Sequence, residues 1–263
     1  MTPDDDMKAW LFGASEWWIG SRGGFTRFAD TATIVTPTED DFPVDLDLEG
    51  AELAEDYFEF VLEHAGLGPD WHFELVLDEG PDVAGALSGI PHHMTGPVTA
   101  AEPVAPLVEG EALPIPYDVR QLEDPMDLVA TMARGISHYL LQSAPTPFPG
   151  TDDEREYFVD LGATLLGFGI MLANASFAFH QSEQGMMVGW GYHHRGALGE
   201  VELSYLLATM ATILELPDGE VVPHLRPNPR SFFKSARKDL TRRRKADLAV
   251  LRSVPSTGAG PYR

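Results

Sequence analysis

Apolar positions recur at two different spacings along this chain, and the change of spacing divides it. Between Gly50 and His64, Leu53, Tyr57, Phe58, Val61 and Leu62 fall three and four apart, which predicts a helix that Gly66 and Gly68 end. Trp71 to Leu77 alternate between apolar and polar and predict a strand. Thr31 to Thr36 are rich in β-branched side chains and stop at Pro37, which predicts another. Glu79 to Pro116 carry many Pro and Gly, so loops with short strands are expected, Ile115 to Tyr117 among them. The first half is expected to hold strands and turns around one helix.

The second half reads at helical spacing throughout. Asp124 is an N-cap candidate, with Pro125 at the first helical position and Asp127 in the first turn; this helix should reach Leu141 or Gln142, before Pro145. A second helix begins near Asp152 or Asp153, a third spans Gly199 to Leu216, and a last one starts after Pro229. The expected class is α+β: a small N-terminal β-containing part over residues 1–118, a helical core over 119–225, and a basic C-terminal helix and tail over 226–263.

One stretch tests that picture. Leu161 to Phe179 carry no formal charge and are long enough to suggest a membrane span. They also contain Thr164, Asn174, Ser176 and three glycines, and they follow the charged run Asp152 to Glu156. A core helix buried on all sides fits better than a span. The start, Met1 to Asp6, is the opposite of a positively charged signal sequence, so a soluble cytoplasmic protein is expected.

Composition removes several chemistries. The chain has 263 residues and no cysteine, which excludes disulfides, Cys zinc sites, iron–sulfur clusters and a thiol nucleophile. It carries 18 Lys+Arg against 41 Asp+Glu, a net charge of −23. The imbalance is local: residues 1–225 hold 7 basic and 39 acidic side chains, residues 226–263 hold 11 and 2. The run Arg237 to Lys245 therefore has two readings, a polyanion-binding adaptor surface or a helix whose cations lie against the acidic body or in solvent. An acidic body within a Debye length of about 8 Å favours the second and argues against nucleic acid as a partner.

The polar positions of the helix after Asp124 carry the candidate chemistry. Asp127, Thr131, Arg134 and His138 are spaced 4, 3 and 4 apart and share one stripe on an otherwise apolar helix. Buried Arg and His need partners. Glu156 and Asp160, again four apart, lie at the start of the next helix, where a helical hairpin would bring the pairs together. On the residues alone another reading stands beside this one: His138 is a satisfied core histidine, and Glu156 and Asp160 favour a helix N-terminus.

The segment Asp124 to Leu141, with Ala133-Arg134-Gly135-Ile136-Ser137-His138 at its centre, resembles the zinc-binding helix of zincin-like metallopeptidases. That family places two zinc-ligating His and an activating Glu in H-E-x-x-H. Glu156-Tyr157-Phe158-Val159-Asp160 resembles the E-x-x-x-D of the gluzincin branch, and the flanking run Leu161 to Asn174 is similar to uncharacterised bacterial proteins with an intact motif. The resemblance, which covers about residues 120 to 240, implies that His138 and Glu156 are remnant metal ligands and Asp160 the residue that orients a ligand. It departs where catalysis would need it most. Arg134 stands at the first His and Gly135 at the catalytic Glu, leaving at most two of three ligands and no general base. The Arg134 guanidinium is expected to replace the metal charge, forking onto Glu156.

The function expected is thus a catalytically inactive metallopeptidase-like protein that binds or scaffolds a protein partner, without a cofactor. The alternative is a metal-dependent hydrolase with rearranged ligands, in which His193 or His194 joins His138 and Glu156 on zinc. His92-His93 is a weaker pair, since adjacent imidazoles diverge. Gly189 to Gly196 is rich in Gly and aromatic residues and reads as a surface loop, with a pocket lining as its other use. Trp10, Trp17 and Trp18 are expected over the core. Ser88 lacks the G-x-S-x-G elbow, and no phosphate or dinucleotide loop is present.

Overall fold

A computed structural model describes residues 1–45, 47–67, 71–77, 112–182 and 197–257, without the side chains of 177–182. It is an α+β arrangement dominated by helices. In chain order these are α1 (Asp5–Ser21), α2 (Gly24–Thr31), α3 (Gly50–His64), strands β1 (Phe73–Leu77) and β2 (Leu113–Tyr117), α4 (Pro125–Gln142), α5 (Arg155–Ala163) and α6 (Gly169–Ser182). They continue with α7 (Glu200–Ile213), the short α8 (Asp218–Val221), α9 (Pro227–Arg243) and α10 (Lys245–Arg252). One cluster of buried apolar side chains runs from Leu11 to Val254, so all three expected segments share a core.

The N-terminal reading needs correction. Residues 5–21 and 24–31 are helical, and no strand forms over 31–36. Asp4 starts α1 by accepting from the Met7 N–H at 2.8 Å, and Asp5 and Asp6 sit in its first turn. The three tryptophans pack in or against the core, as expected, and dock α1 on α5 and the turn before it. Trp10 donates to Glu154 at 2.9 Å, Trp17 meets Phe158 edge-on, and the Trp18 ring fills the space left by Gly162. Thr31 to Thr36 does contain an extended stretch, but its partner is a helix. The Val35 N–H donates to the Gly167 carbonyl at 3.0 Å, and Val35 is buried there.

That contact exists because the long apolar helix is interrupted. Thr164–Phe168 form a π turn between α5 and α6, and Gly167 adopts φ 114°. An L side chain at 167 would be strained, and its Cβ would lie 2.6 Å from the Thr33 carbonyl oxygen. By length and composition residues 152–176 match a membrane span, yet 94% of the most apolar window is buried inside the protein. Asn174 shows what its polar atoms do. It accepts from the Arg226 N–H at 2.8 Å and donates to the His224 carbonyl at 2.9 Å, pinning the entry to α9 against α6.

The two strands are parallel, in register from Phe73 opposite Leu113 to Leu77 opposite Tyr117. Leu113 donates to the His72 carbonyl at 2.7 Å, so the alternate positions Pro114 and Pro116 turn their nitrogens away from β1 and forfeit no ladder bond. The Pro114 carbonyl accepts from the Tyr139 hydroxyl at 2.9 Å, which ties β2 to α4. Burial pushes that phenol up to about 12.

At Gly135, α4 leaves no room for a side chain against β2. A Cβ there would lie 2.8 Å from Ile115 Cγ2, in a side chain that is itself buried. Gly135→Ala should therefore cost about 1–3 kcal/mol of stability through overpacking. In Gly135→Ala/Ile115→Ala the two costs should sum to less than their parts, because each change makes room for the other. Urea denaturation of the four variants measures this, and simple additivity would refute it.

Candidate functional site

The stripe on α4 is built as its spacing predicts. Leu128, Val129, Met132, Ile136 and Leu140 are buried around it, so its polar members are carried into the protein. At its upper end Gln121, in the 3-10 turn before α4, donates to both Asp127 (2.9 Å) and Thr131 (2.6 Å). Asp127 is pushed above the usual carboxylate range, chiefly by burial and further by Asp124 and Asp118. Gln121 and Arg134 pull the other way.

Arg134 occupies the centre. Its side chain is 5% exposed, and its Nε stands 2.8 Å from Oδ1 of Asp160, which is 1% exposed. The arginine thus has the deeper carboxylate of the Glu156–Asp160 pair as a partner. Asp160 is held from a third direction by the Leu198 N–H, which donates to Oδ2 at 2.8 Å just before α7. Burial pushes the Asp160 carboxyl up, with a smaller push from Glu156; Arg134 and the Leu198 and Ala197 N–H groups oppose it. Around the pair, Ser137 donates to the Val159 carbonyl at 2.8 Å and Thr164 to the Asp160 carbonyl at 2.9 Å.

The lower end is separate. His138 is half-buried, edge-on to Tyr139, and its Nε2 faces the Nε2 of Gln142. Glu156 is half-buried near enough to Asp160 to act on it as a like charge. Among the described residues no group of three or more His, Asp or Glu could hold a metal ion. His92, His93, His193, His194, Ser88 and the 189–196 loop lie outside the described residues.

Three contributors were missed in the sequence. Gln142 continues the stripe by another step of four, a signal that was available. Gln121 and the Leu198 N–H carry none, because one precedes the helix and the other is a main-chain group. The basic run is split. Arg237 pairs with Asp218 (2.8 Å) and Arg244 with Asp5, whereas Lys238, Arg242, Arg243 and Lys245 are exposed.

The chain matches no known family model, no curated protein and no solved structure.

This geometry fixes a pH signature. Arg134→Met would strip Asp160 of its counter-charge and cost about 3–5 kcal/mol near neutral pH. A carboxyl whose folded pKa lies above its unfolded value favours the folded state below the unfolded value. That contribution is lost as pH rises through the folded value. Removing Arg134 raises the folded value of Asp160 further, so the variant should lose stability more steeply than wild type as pH climbs from the ordinary carboxylate range. Its deficit should shrink in acid. Urea melts over a pH series test this, and a deficit independent of pH would contradict it.

Proposed function

We propose that this chain is a non-catalytic, metallopeptidase-like protein that acts by binding or scaffolding a protein partner. The observation that carries the reading is the buried Arg134–Asp160 pair. Under the resemblance, the position of the first zinc-ligating His holds a permanent cation already committed to a carboxylate. A guanidinium cannot deprotonate to become a ligand and cannot activate water as a Lewis acid.

Two further observations support it. Gly135, at the place of the general base, has Ile115 packed against it, so a carboxylate side chain there would displace β2. His138 Nε2 faces Gln142. In this reading Arg134 does structurally what a metal would do. It ties α4 to α5 and, through Asp160 and the Leu198 N–H, to the start of α7.

Elemental analysis of the purified chain should find no stoichiometric zinc, and added zinc should not raise the melting temperature. One tightly held metal per chain would overturn the reading in favour of a hydrolase with rearranged ligands.

A further inference from the structure

The exposed cations of α9 form a line. Lys234, Lys238 and Arg242 recur four residues apart, and Lys245 follows three residues later, across the junction with α10. All four are exposed, and none enters an ion pair among the described residues. The opposite face of α9 buries Phe233, Ala236 and Leu240. In a chain with 41 acidic side chains, unpaired clustered cations call for an explanation.

The same chain carries the complementary line. On α3, Glu52, Glu55, Glu59 and Glu63 are exposed and likewise enter no ion pair among the described residues. Their inward neighbours Ala54, Phe58 and Val61 are buried. Read from its C-terminus, α3 places carboxylates at steps of 4, 4 and 3. Read from its N-terminus, the basic line has steps of 4, 4 and 3. Laid antiparallel, Glu63 faces Lys234, Glu59 faces Lys238 and Glu55 faces Arg242, with Glu52 and Lys245 at the same end beyond them, Lys245 past the junction with α10. At a rise of about 1.5 Å per residue the parts of the two lines that lie on single helices, Glu55–Glu63 and Lys234–Arg242, are each roughly 12 Å long.

We propose that the basic line of α9 docks on the acidic line of α3 in a second copy of this chain. The match of spacing and sign favours this occupant over an extended polyanion. Nucleic acid or an anionic membrane would also have to lie beside the acidic body of residues 1–225. The contact is heterologous, using a different surface on each copy, so it closes into a ring or extends as an open chain. Exposed ion pairs make it weak and sensitive to salt. It is independent of the Arg134 site.

Sedimentation of the full chain should show mass above the monomer near 0.1 M salt, where the Debye length is about 10 Å. It should show monomer near 1 M, where that length is about 3 Å. Lys234→Glu/Lys238→Glu/Arg242→Glu should weaken association by about tenfold or more, and so should Glu55→Lys/Glu59→Lys/Glu63→Lys. Mixing the two variants, or combining all six changes in one chain, should restore it. Circular dichroism confirms that each remains folded. A wild-type monomer at 0.1 M salt and high protein concentration would overturn the proposal, as would association that survives either reversal, or reversals that fail to rescue each other. Binding of a DNA duplex or of anionic vesicles, lost in the α9 variant and without self-association, would assign the line to a polyanion instead.

Discussion

A guanidinium and a carboxylate, both withdrawn almost wholly from water, meet between α4 and α5, and much of the surrounding architecture is arranged to make that tolerable. Removing two charges from solvent costs several kcal/mol for each, and their attraction offsets this only where the remaining polar atoms are also occupied. Asp160 meets that condition at Oδ2, through the Leu198 N–H brought in by the segment before α7, while Oδ1 faces Arg134 Nε as an ion pair without hydrogen-bond alignment. The pair therefore works as a geometric condition on three elements at once. If α5 shifted along α4, or if α7 began elsewhere, a buried charge would be stranded.

Close approach is the second constraint, and glycines permit it at the places where that charge pair must be enclosed. Gly135 lets β2 lie against α4 within one residue of Arg134, and Gly167 lets the extended segment at Val35 cross the π turn within one helical length of Asp160. The interruption at Thr164–Phe168 and the deep carboxylate are coupled in sequence as well. Thr164 begins the π turn and returns its hydroxyl to the Asp160 carbonyl.

The helical half was legible because its signals are local. Apolar spacing and Pro125 placed α4, the acid-rich start at Asp152 placed one helix where the structure has α5 and α6 separated by a π turn, and the stripe from Asp127 to His138 emerged with its order intact. The N-terminal helices were not legible for a physical reason. In α1 the buried face interleaves Lys8, Ser15 and Ser21 with Leu11, Ala14, Trp18 and Ile19, while Trp10, Phe12 and Trp17 lie only partly buried, so no clean apolar stripe appears. Thr31 to Thr36 has the composition of a strand, and what the sequence could not show is that its partner would be a helix backbone. At the site, spacing put Arg134 and His138 on one helix and Glu156 and Asp160 on the next, with Glu156 as the expected partner of Arg134, whereas the structure pairs it with Asp160. Depth decided which carboxylate the arginine would reach, and depth is set by the whole fold.

The alternating prolines of β2 have a consequence for how this molecule can meet others. A two-stranded sheet ordinarily offers its outer edge as a template for strand addition, the commonest route to unintended polymerisation. Here Pro114 and Pro116 remove the outward N–H groups of β2, and Tyr139 occupies the Pro114 carbonyl. Strand addition at that edge therefore lacks the two main-chain donors it would need. Encounters on that side must be written in side chains, which a change of charge can tune and a change of salt can dissolve.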